Sequence, residues 1–351
     1  MEEYDVAVIG GGPAGMAAAL SASQNTELRV ALIERAPTLG GILNQCAHKG
    51  FGITYFGEEL TGQEYARRFV GRIGASDVEI MTDTMVMSID TERVITISGA
   101  ETGYRRIHAN AVILATGCRE RPIGSLLVTG SRPAGVFSAG AAQKMINLGG
   151  YDIGDKIVIL GSGDVGLIVA RELALRGKEV IAVIEKEAEC GGLPRNRINC
   201  LEHFGIPLVT LATVSEIHGT PRIGGVTITA AGVGAGGGDR FIGCNALIVS
   251  VGLIPERDLL DEFGAAVPEW LFPCGNAAFV HSVVDAVTNE SERAGRSAAE
   301  YAAKRLQHPQ VRQGSKDRQD PHVRQGSQDR PDVQDSQGSQ NRQDITDRQD
   351  C

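Results

Sequence analysis

VAVIGGGPAG at residues 6–15 and IVILGSGDVG at residues 157–166 decide how this chain folds. Each runs an apolar strand into the spacing Gly-x-Gly-x-x-Gly and then into small residues that begin a helix. The glycines are Gly10, Gly12 and Gly15 in the first copy, Gly161, Gly163 and Gly166 in the second. The first glycine permits a tight strand-to-helix turn, the second lets the backbone approach a pyrophosphate, and the third lets helix and strand touch. N–H groups in the first turn of the helix lack intrahelical partners and point at the anion, and the helix dipole adds ~0.3–1 kcal/mol. An acid ends a second strand 24 positions after the first glycine of each copy, Glu34 and Glu185, placed to accept hydrogen bonds from ribose hydroxyls. A single such turn also occurs where nothing binds. Two complete strand, loop, helix, strand and acid units predict two dinucleotide sites in one polypeptide.

Working outward, the first unit reads as strand 4–9, helix 13–23 and strand 29–34, followed by the Gly-rich loop RAPTLGGILNQCAHKGFG. After a helix near Gln63 to Ile73, the segments VEIMTDTMVMSID, RVITIS and YRRIHA read as an antiparallel meander, and AVILATG as a returning buried strand. Its end, Ala115-Thr116-Gly117, is small enough to pass close to a cofactor. The second unit repeats the plan: strand 157–160, helix 164–176, strand 179–184, a Gly-Gly at 191 and 192, and a helix near Arg195 to Phe204. A second meander, TVSEIHG, GGVTITAAG and DRFIGCN, leads into ALIVSVG, the counterpart of AVILATG. The expected fold class is α/β, with two Rossmann-like domains that combine parallel sheets and antiparallel β meanders, one nested in the sequence of the other. WLFPCGNAAF and the helical stretch HSVVDAVTNESERAGRSAAEYAAKRL return to the first domain as its last strand and helix.

Composition narrows the function classes. With 42% apolar and 22% charged residues the chain is ordinary globular material. The net charge of -9, without a basic cluster, argues against nucleic acid as a partner. No apolar run is long enough for membrane insertion, and the start MEEYDVAVIG lacks the basic and apolar regions of a signal peptide. The seven cysteines have no metal-ligating spacing, so no metal is expected and a reduced, cytoplasmic setting is. Beyond Leu306 the sequence repeats with a period of twelve, as in PQVRQGSKDRQD and PHVRQGSQDRPD. Such a stretch has too little apolar surface to offset the entropy of ordering and is expected to be a disordered tail.

VAVIGGGPAG, Glu34, AVILATG, GSGDVG and FPCGN together resemble the two-dinucleotide flavoproteins related to glutathione reductase and thioredoxin reductase, over roughly residues 4–306. GGILNQCAHKGFG, ELTGQEYARRF, TGCRERP, RPAGVFSAGAAQKMINLGGY and VVDAVTNESERAG look most like small FAD/NAD-linked oxidoreductases associated with glycerol-3-phosphate dehydrogenases. Similar segments occur in hydrogen cyanide synthase and in proline or opine dehydrogenase subunits. The resemblance implies FAD on Gly10, Gly12, Pro13, Ala14, Gly15, Glu34, Arg35, Gly41, Thr116 and Gly117, with Gly275 and Asn276 near the ribityl chain. It implies NAD(H) on Gly161, Gly163, Asp164, Val165, Gly166 and Glu185. The implied domains are FAD-binding at 1–118 and 247–306, NAD(H)-binding at 119–246, and a tail at 307–351.

Two departures from the family matter. The disulfide reductases carry a redox cysteine pair, and here only Cys46 follows Gly40-Gly41, so no dithiol relay is expected. Between GLIPERDLL and FPCGN the chain is shorter than its relatives, which predicts a flavin domain lacking a hairpin there. No catalytic residue is fixed by the sequence. Cys46 could be a charge-transfer or peroxide-reactive thiolate, against the commoner inert buried cysteine, and His281 could face the flavin's pyrimidine edge, against a merely packed histidine. A 2′-phosphate about 4 Å from Glu185 would cost on the order of 4 kcal/mol at an effective dielectric near 20, so NADH is expected over NADPH, with Lys186 as an opposing influence. The implied partners are a small-molecule substrate and a dehydrogenase partner subunit, and the architecture is compatible with a homodimer. The expectation is an FAD enzyme using NAD(H). The alternative is a cofactor-bearing subunit that is inactive alone.

Overall fold

Strand Glu2–Ile9 shows why the first module layers as it does. Its side chains alternate, Val6 and Val8 on one face and Ala7 and Ile9 on the other, and both sets are buried. Strand Val30–Ile33 is likewise buried at every residue, the signature of a sheet covered on both sides. A computed structural model describes residues 1–101, 103–230, 238–264 and 266–307. In it the first sheet runs Glu79–Met81, Val30–Ile33, Glu2–Ile9, Gly103–Leu114, Val94–Gly99, Thr84–Ile89, with Leu271–Pro273 also paired to Gly103–Leu114. One face packs on helices α1 (Pro13–Ala22), α2 (Gly62–Gly74) and, later in the chain, α6 (Val284–Gln307). The other face packs on the antiparallel strands and on Leu260 and Trp270.

The second module repeats these three layers. A parallel sheet in the order Val136–Ser138, Ala246–Val249, Lys156–Leu160, Glu179–Ile184, Leu208–Val209 buries Ile157 and Ile159 against helices α3 (Ala139–Asn147), α4 (Asp164–Leu175) and α5 (Pro194–Cys200). Val158 and Leu160 face an antiparallel layer that contains Ala212–His218, Gly225–Ala230 and Arg240–Ile242. The chain crosses between modules twice, and the two crossings, Cys118–Glu120 and Leu253–Pro255, pair with each other as antiparallel strands.

Several expectations are corrected. YRRIHA and AVILATG are not two strands. Residues Gly103–Leu114 form one, pairing antiparallel with Val94–Gly99 through its first half and parallel with Glu2–Ile9 from Ile107 onward. Segment EIM of the expected meander, Glu79–Met81, is a parallel strand beside Val30–Ile33. A domain boundary between 246 and 247 would cut strand Ala246–Val249, whose partner is Lys156–Leu160 of the second sheet, so the return crossing lies at Leu253–Pro255. The short segment before Phe272 still completes the first sheet, because Leu271–Pro273 pairs with Val112–Leu114 and Cys274 N donates to Leu114 O at 2.9 Å. Gln307 closes α6, and the repeat tail from 308 on lies outside the described residues. Helix α6 packs tightly on α1, where a Cβ on Gly295 would run into the carbonyl of Ala18. Among the described residues no helix is long and apolar enough to cross a membrane.

Candidate functional site

The first cradle is assembled at the C-terminal ends of Glu2–Ile9 and Val30–Ile33. Gly10 turns the chain at φ +105°, and a Cβ there would enter the carbonyl of Ala115. Gly12 caps α1, with Pro13 as the first helical residue and Ala14 buried behind it. Gly15 lies against the carbonyl of Gly10, which brings helix and strand together as the spacing predicts. Glu34 is buried, and its carboxylate accepts from Gly11 N at 2.6 Å and from Ala36 N at 2.7 Å. The acid therefore ties the glycine loop to the end of the second strand and keeps spare lone pairs. Arg35 beside it is exposed. Gly41, at φ +54°, comes so close to the loop that a Cβ would lie 3.0 Å from Gly12 Cα, and Gly40 N donates to Gly11 O at 2.8 Å.

The far wall of this cradle comes from the first crossing and from the 3-10 turn Gly275–Ala277 that precedes α6. Gly117 has φ +77° with open space where a Cβ would point, while the Thr116 hydroxyl donates to Glu256 O at 2.6 Å. Gly275 N donates to Glu290 Oε2 at 2.6 Å, and a Cβ on Gly275 would lie 2.6 Å from Ala14 Cβ. Asn276 uses both ends of its amide: Nδ2 reaches Cys118 Sγ at 3.6 Å, and Oδ1 accepts from His281 N at 3.0 Å. The residues of the first cradle are thus brought to one place, with bare backbone where a pyrophosphate would lie.

The second cradle has the same backbone and different side chains. Gly161 turns at φ +99° against the carbonyl of Ser250, Gly166 packs on Gly161 and Ser250, and Gly163 caps α4 with nothing within 4 Å of a would-be Cβ. Buried Glu185 accepts from Ser162 N at 2.9 Å, Ser162 Oγ at 2.6 Å and Glu187 N at 3.0 Å. Burial pushes this carboxyl up, but these donors and Lys186 N outweigh it and hold it below the ordinary glutamate value, so it is anionic at neutral pH. Ser162 Oγ also accepts from Gly191 N at 2.8 Å. Asp164 Oδ1 accepts from Leu193 N and Asn196 Nδ2, both at 2.8 Å, while Val165 is exposed on the next position of the helix. Lys186 lies on the surface, paired with Glu187 at 3.2 Å.

A buried polar network joins the modules. Gln45, at the end of the 3-10 turn Gly41–Gln45, donates through Nε2 to Gly140 O at 2.8 Å and to Gln143 Oε1 at 3.2 Å. Asn147 Nδ2 donates to Gln45 O at 2.8 Å and to Glu172 Oε1 at 2.5 Å, and Gln143 Nε2 reaches Glu172 Oε2 at 3.3 Å. The turn that carries Gly41 is therefore linked, through α3, to the helix that begins at the second glycine loop. Sequence reasoning missed this network, and also Asp285, whose carboxylate accepts from Gly52 N, Thr54 N, Thr54 Oγ1 and Tyr55 N at 2.7–3.2 Å and pins residues 52–55 to the start of α6. An acid in the first turn of a helix was the available signal for Asp285.

The two catalytic candidates sit in different surroundings. Cys46 is buried between the 3-10 turn and α2, and burial, with the charge of Glu172 adding to it, pushes its thiol up to about 12. A thiol so placed is neutral at physiological pH, which favours the inert buried reading of Cys46 over the thiolate one. All six described cysteines are free. The His281 ring packs edge-on to Phe279 at 5.6 Å, and its buried Nδ1 has no hydrogen-bond partner. His48, two residues beyond Cys46, also has an unpartnered buried Nδ1, and burial, reinforced by Arg171, pushes it down to about 4.

A family model described as pyridine nucleotide-disulphide oxidoreductase matches residues 4–271. An opine oxidase subunit of Agrobacterium tumefaciens (strain Ach5) is 28% identical over 291 residues, covering 76% of this chain and 56% of the relative. The alpha subunit of sarcosine oxidase from Corynebacterium sp. (strain P-1) is 33% identical over 199 residues, 52% of this chain and 19% of the relative. The chain thus spans about half the length of the first relative and a fifth of the second. Among solved structures, thioredoxin reductase of T. acidophilum superposes with a TM-score of 0.69 at 20% identity, covering 87% of this chain and all of that one. L-proline dehydrogenase of P. horikoshii superposes with a TM-score of 0.60 at 21% identity, covering 87% of this chain and 56% of that one. At these identities the superpositions speak for the fold.

Proposed function

The chain belongs to the pyridine nucleotide-disulphide oxidoreductase family, and from that premise we propose that it exchanges hydride between NAD(H) and a bound FAD, with the flavin's second half-reaction serving a small-molecule substrate or an electron-accepting partner. The observation that carries this reading is the duplicated cradle. Two glycine loops each present a helix start and a bare backbone, and a buried acid braces each loop from the end of the neighbouring strand. FAD and NAD(H) fit these cradles because the space a Cβ would take at Gly117 and Gly163 is open, and because Glu34 keeps acceptor capacity for ribose. When bound, the flavin supplies the hydride-accepting ring, so the protein has only to position and exclude.

The residues divide that work. Gly10, Gly12, Pro13, Ala14 and Gly15 would hold the FAD pyrophosphate, Glu34 the ribose with Arg35 at the rim, and Gly41, Thr116, Gly117, Gly275 and Asn276 the remainder of the cofactor. Gly161, Gly163, Asp164, Val165 and Gly166 would form the corresponding NAD(H) site, with Glu185 at the ribose. Lys186 is the opposing charge, and to bond a 2′-phosphate it would have to leave its exposed pair with Glu187. Glu185→Ala should raise kcat/KM for NADPH relative to NADH by on the order of 100-fold. A wild-type protein that oxidised NADPH as well as NADH would contradict the preference.

A second reading has its own support. The curated relatives are named as subunits, and this chain covers only part of each. In that reading the chain carries cofactors but passes electrons only within an assembly of amine, imino acid or glycerol-3-phosphate type. Anaerobic addition of NADH to the purified, FAD-loaded chain separates the two. Bleaching of the visible flavin band by the chain alone supports the autonomous oxidoreductase. No bleaching until a partner subunit is added supports the assembly.

A further inference from the structure

Helices α1 and α4 begin on equivalent glycine loops, yet their first residues are chemically opposed. Pro13 brings neither charge nor N–H to the loop, whereas Asp164 brings a carboxylate to the positive end of its helix. That carboxylate is engaged. Its Oδ1 accepts from Leu193 N and Asn196 Nδ2, both on the segment that follows Gly191-Gly192. The segment is pressed against the loop, since a Cβ on Gly192 would lie 2.6 Å from Leu167 Cδ1 and 2.9 Å from Asp164 Oδ1. A Cβ on Gly191 would lie 3.8 Å from Gly163 N and 3.9 Å from Glu185 Oε2, so these glycines border the place where a ribose and its phosphates would sit. In the first module the matching segment is held by backbone, through Gly40 N to Gly11 O, and the first turn of α1 contains no acid.

Resting on the reading of this cradle as the NAD(H) site, we propose that Asp164 is a positioning residue that sets nucleotide affinity through two opposed effects. Its Oδ1 anchors residues 192–196 against the second glycine loop, and its negative charge weakens the hold of the α4 first turn on the pyrophosphate. The first effect tightens the site and the second loosens it. They are separable because asparagine keeps the Oδ1 acceptor and drops the charge, while alanine drops both.

The test measures dissociation constants for NADH and ADP-ribose by anaerobic calorimetry on the FAD-loaded full chain with its flavin already reduced, for wild type, Asp164→Asn and Asp164→Ala, at low and high salt. Asp164→Asn should bind both probes about fivefold more tightly than wild type at low salt, and the gain should shrink at high salt as the charge is screened. Asp164→Ala should bind about tenfold more weakly than Asp164→Asn, because the anchored segment is released. Flavin content should be unchanged in both. Equal affinities for the two variants, or a gain in Asp164→Asn that does not depend on salt, would overturn the inference while leaving the nucleotide site intact. Should Asp164→Ala misfold, the salt-dependent gain of Asp164→Asn decides alone. Failure of the wild type to bind either probe would remove the underlying site and the inference with it.

Discussion

The two modules share a plan and differ in how their glycine loops are held, and the difference separates what the fold demands from what each site was given. In both, an acid follows the first glycine by 24 residues and a Gly-Gly pair follows the acid by six and seven. In the first, Gly11 stands where a Cβ would lie 2.5 Å from Leu39 Cδ2, so the bulk of Leu39 fills the corner, and the loop is held by Glu34 on Gly11 N and by Gly40 N on Gly11 O. In the second, Ser162 and the smaller Cys190 occupy the equivalent positions. Cys190 Sγ reaches Ser162 O at 3.7 Å, and the Ser162 hydroxyl joins Glu185 to Gly191. An acid braces both loops, but Leu39 packs the corner of the first, whereas in the second a serine hydroxyl joins the acid to the Gly-Gly segment. The meanders differ too. Asn110 lies inside the continuous strand Gly103–Leu114, whereas Asn245, at the matching point before Ala246, accepts from Asp155 N and Lys156 N at 2.9 Å and stands between two separate strands.

The comparison can be broken at the glycines, where the largest effect is expected. Gly10→Ala and Gly161→Ala each force a Cβ into a carbonyl at a left-handed backbone position, and each should cost about 3 kcal/mol or more of stability in chemical denaturation. Gly163→Ala meets nothing within 4 Å, so it should fold normally and lose only NADH binding. Equal loss of stability in all three would refute the division between turn-forming and cofactor-facing glycines.

Next in size is the joint between modules. Glu172→Ala removes the acceptor of buried Gln143 Nε2 and one acceptor of half-buried Asn147 Nδ2, and should destabilise the chain by about 2–3 kcal/mol, with faster proteolysis at the crossings near 119 and 254. A variant as stable and as protease-resistant as wild type would show that the network carries nothing.

A smaller effect sharpens the contrast in loop closure. Gly11→Ser alone should cost about 1–2 kcal/mol by overpacking against Leu39, and adding Leu39→Cys should recover most of it by importing the second module's solution into the first. Additive losses in the double variant would mean that the two corners are not interchangeable.

The smallest expected effect is electrostatic. Glu185 is held below its ordinary value, so its share of stability is present above the unfolded glutamate value and is lost as pH falls through the folded one. The melting-temperature gap between wild type and Glu185→Gln should therefore be widest near neutrality and close in acid. A gap independent of pH would show that charge plays no part in the loop network.

Much of this was legible in the sequence because it rests on local rules. The glycine turns and the acids at the strand ends follow from spacing and periodicity, and the return of the last helix follows from the first module otherwise lacking its final strand and helix. What was not legible depends on partners far along the chain. Residues 246–249 read as a strand in isolation, but only pairing with Lys156–Leu160 assigns them to the second sheet and moves the crossing to Leu253–Pro255. YRRIHA and AVILATG fuse because one strand serves two neighbours of opposite direction. The sequence left Cys46 open between a flavin-side thiolate and the commoner inert thiol, and its burial against α2 with the charge of Glu172 nearby favours the second. Gln45, Gln143, Asn147 and Glu172 lie on three separate elements, and single polar residues on helices leave no periodic trace.

The central claim is that one chain holds two different dinucleotides in two separately braced cradles. Its most direct test is the cofactor stoichiometry of the purified full chain, measured as flavin released on denaturation and NADH bound by anaerobic calorimetry after the flavin has been reduced, for wild type, Gly12→Val and Gly163→Val. The account predicts one FAD and one NADH per wild-type chain, loss of flavin alone in the first variant and loss of NADH alone in the second. A colourless wild-type protein that takes up no added FAD, or a variant in either cradle that removes both cofactors while the chain stays folded, would contradict it.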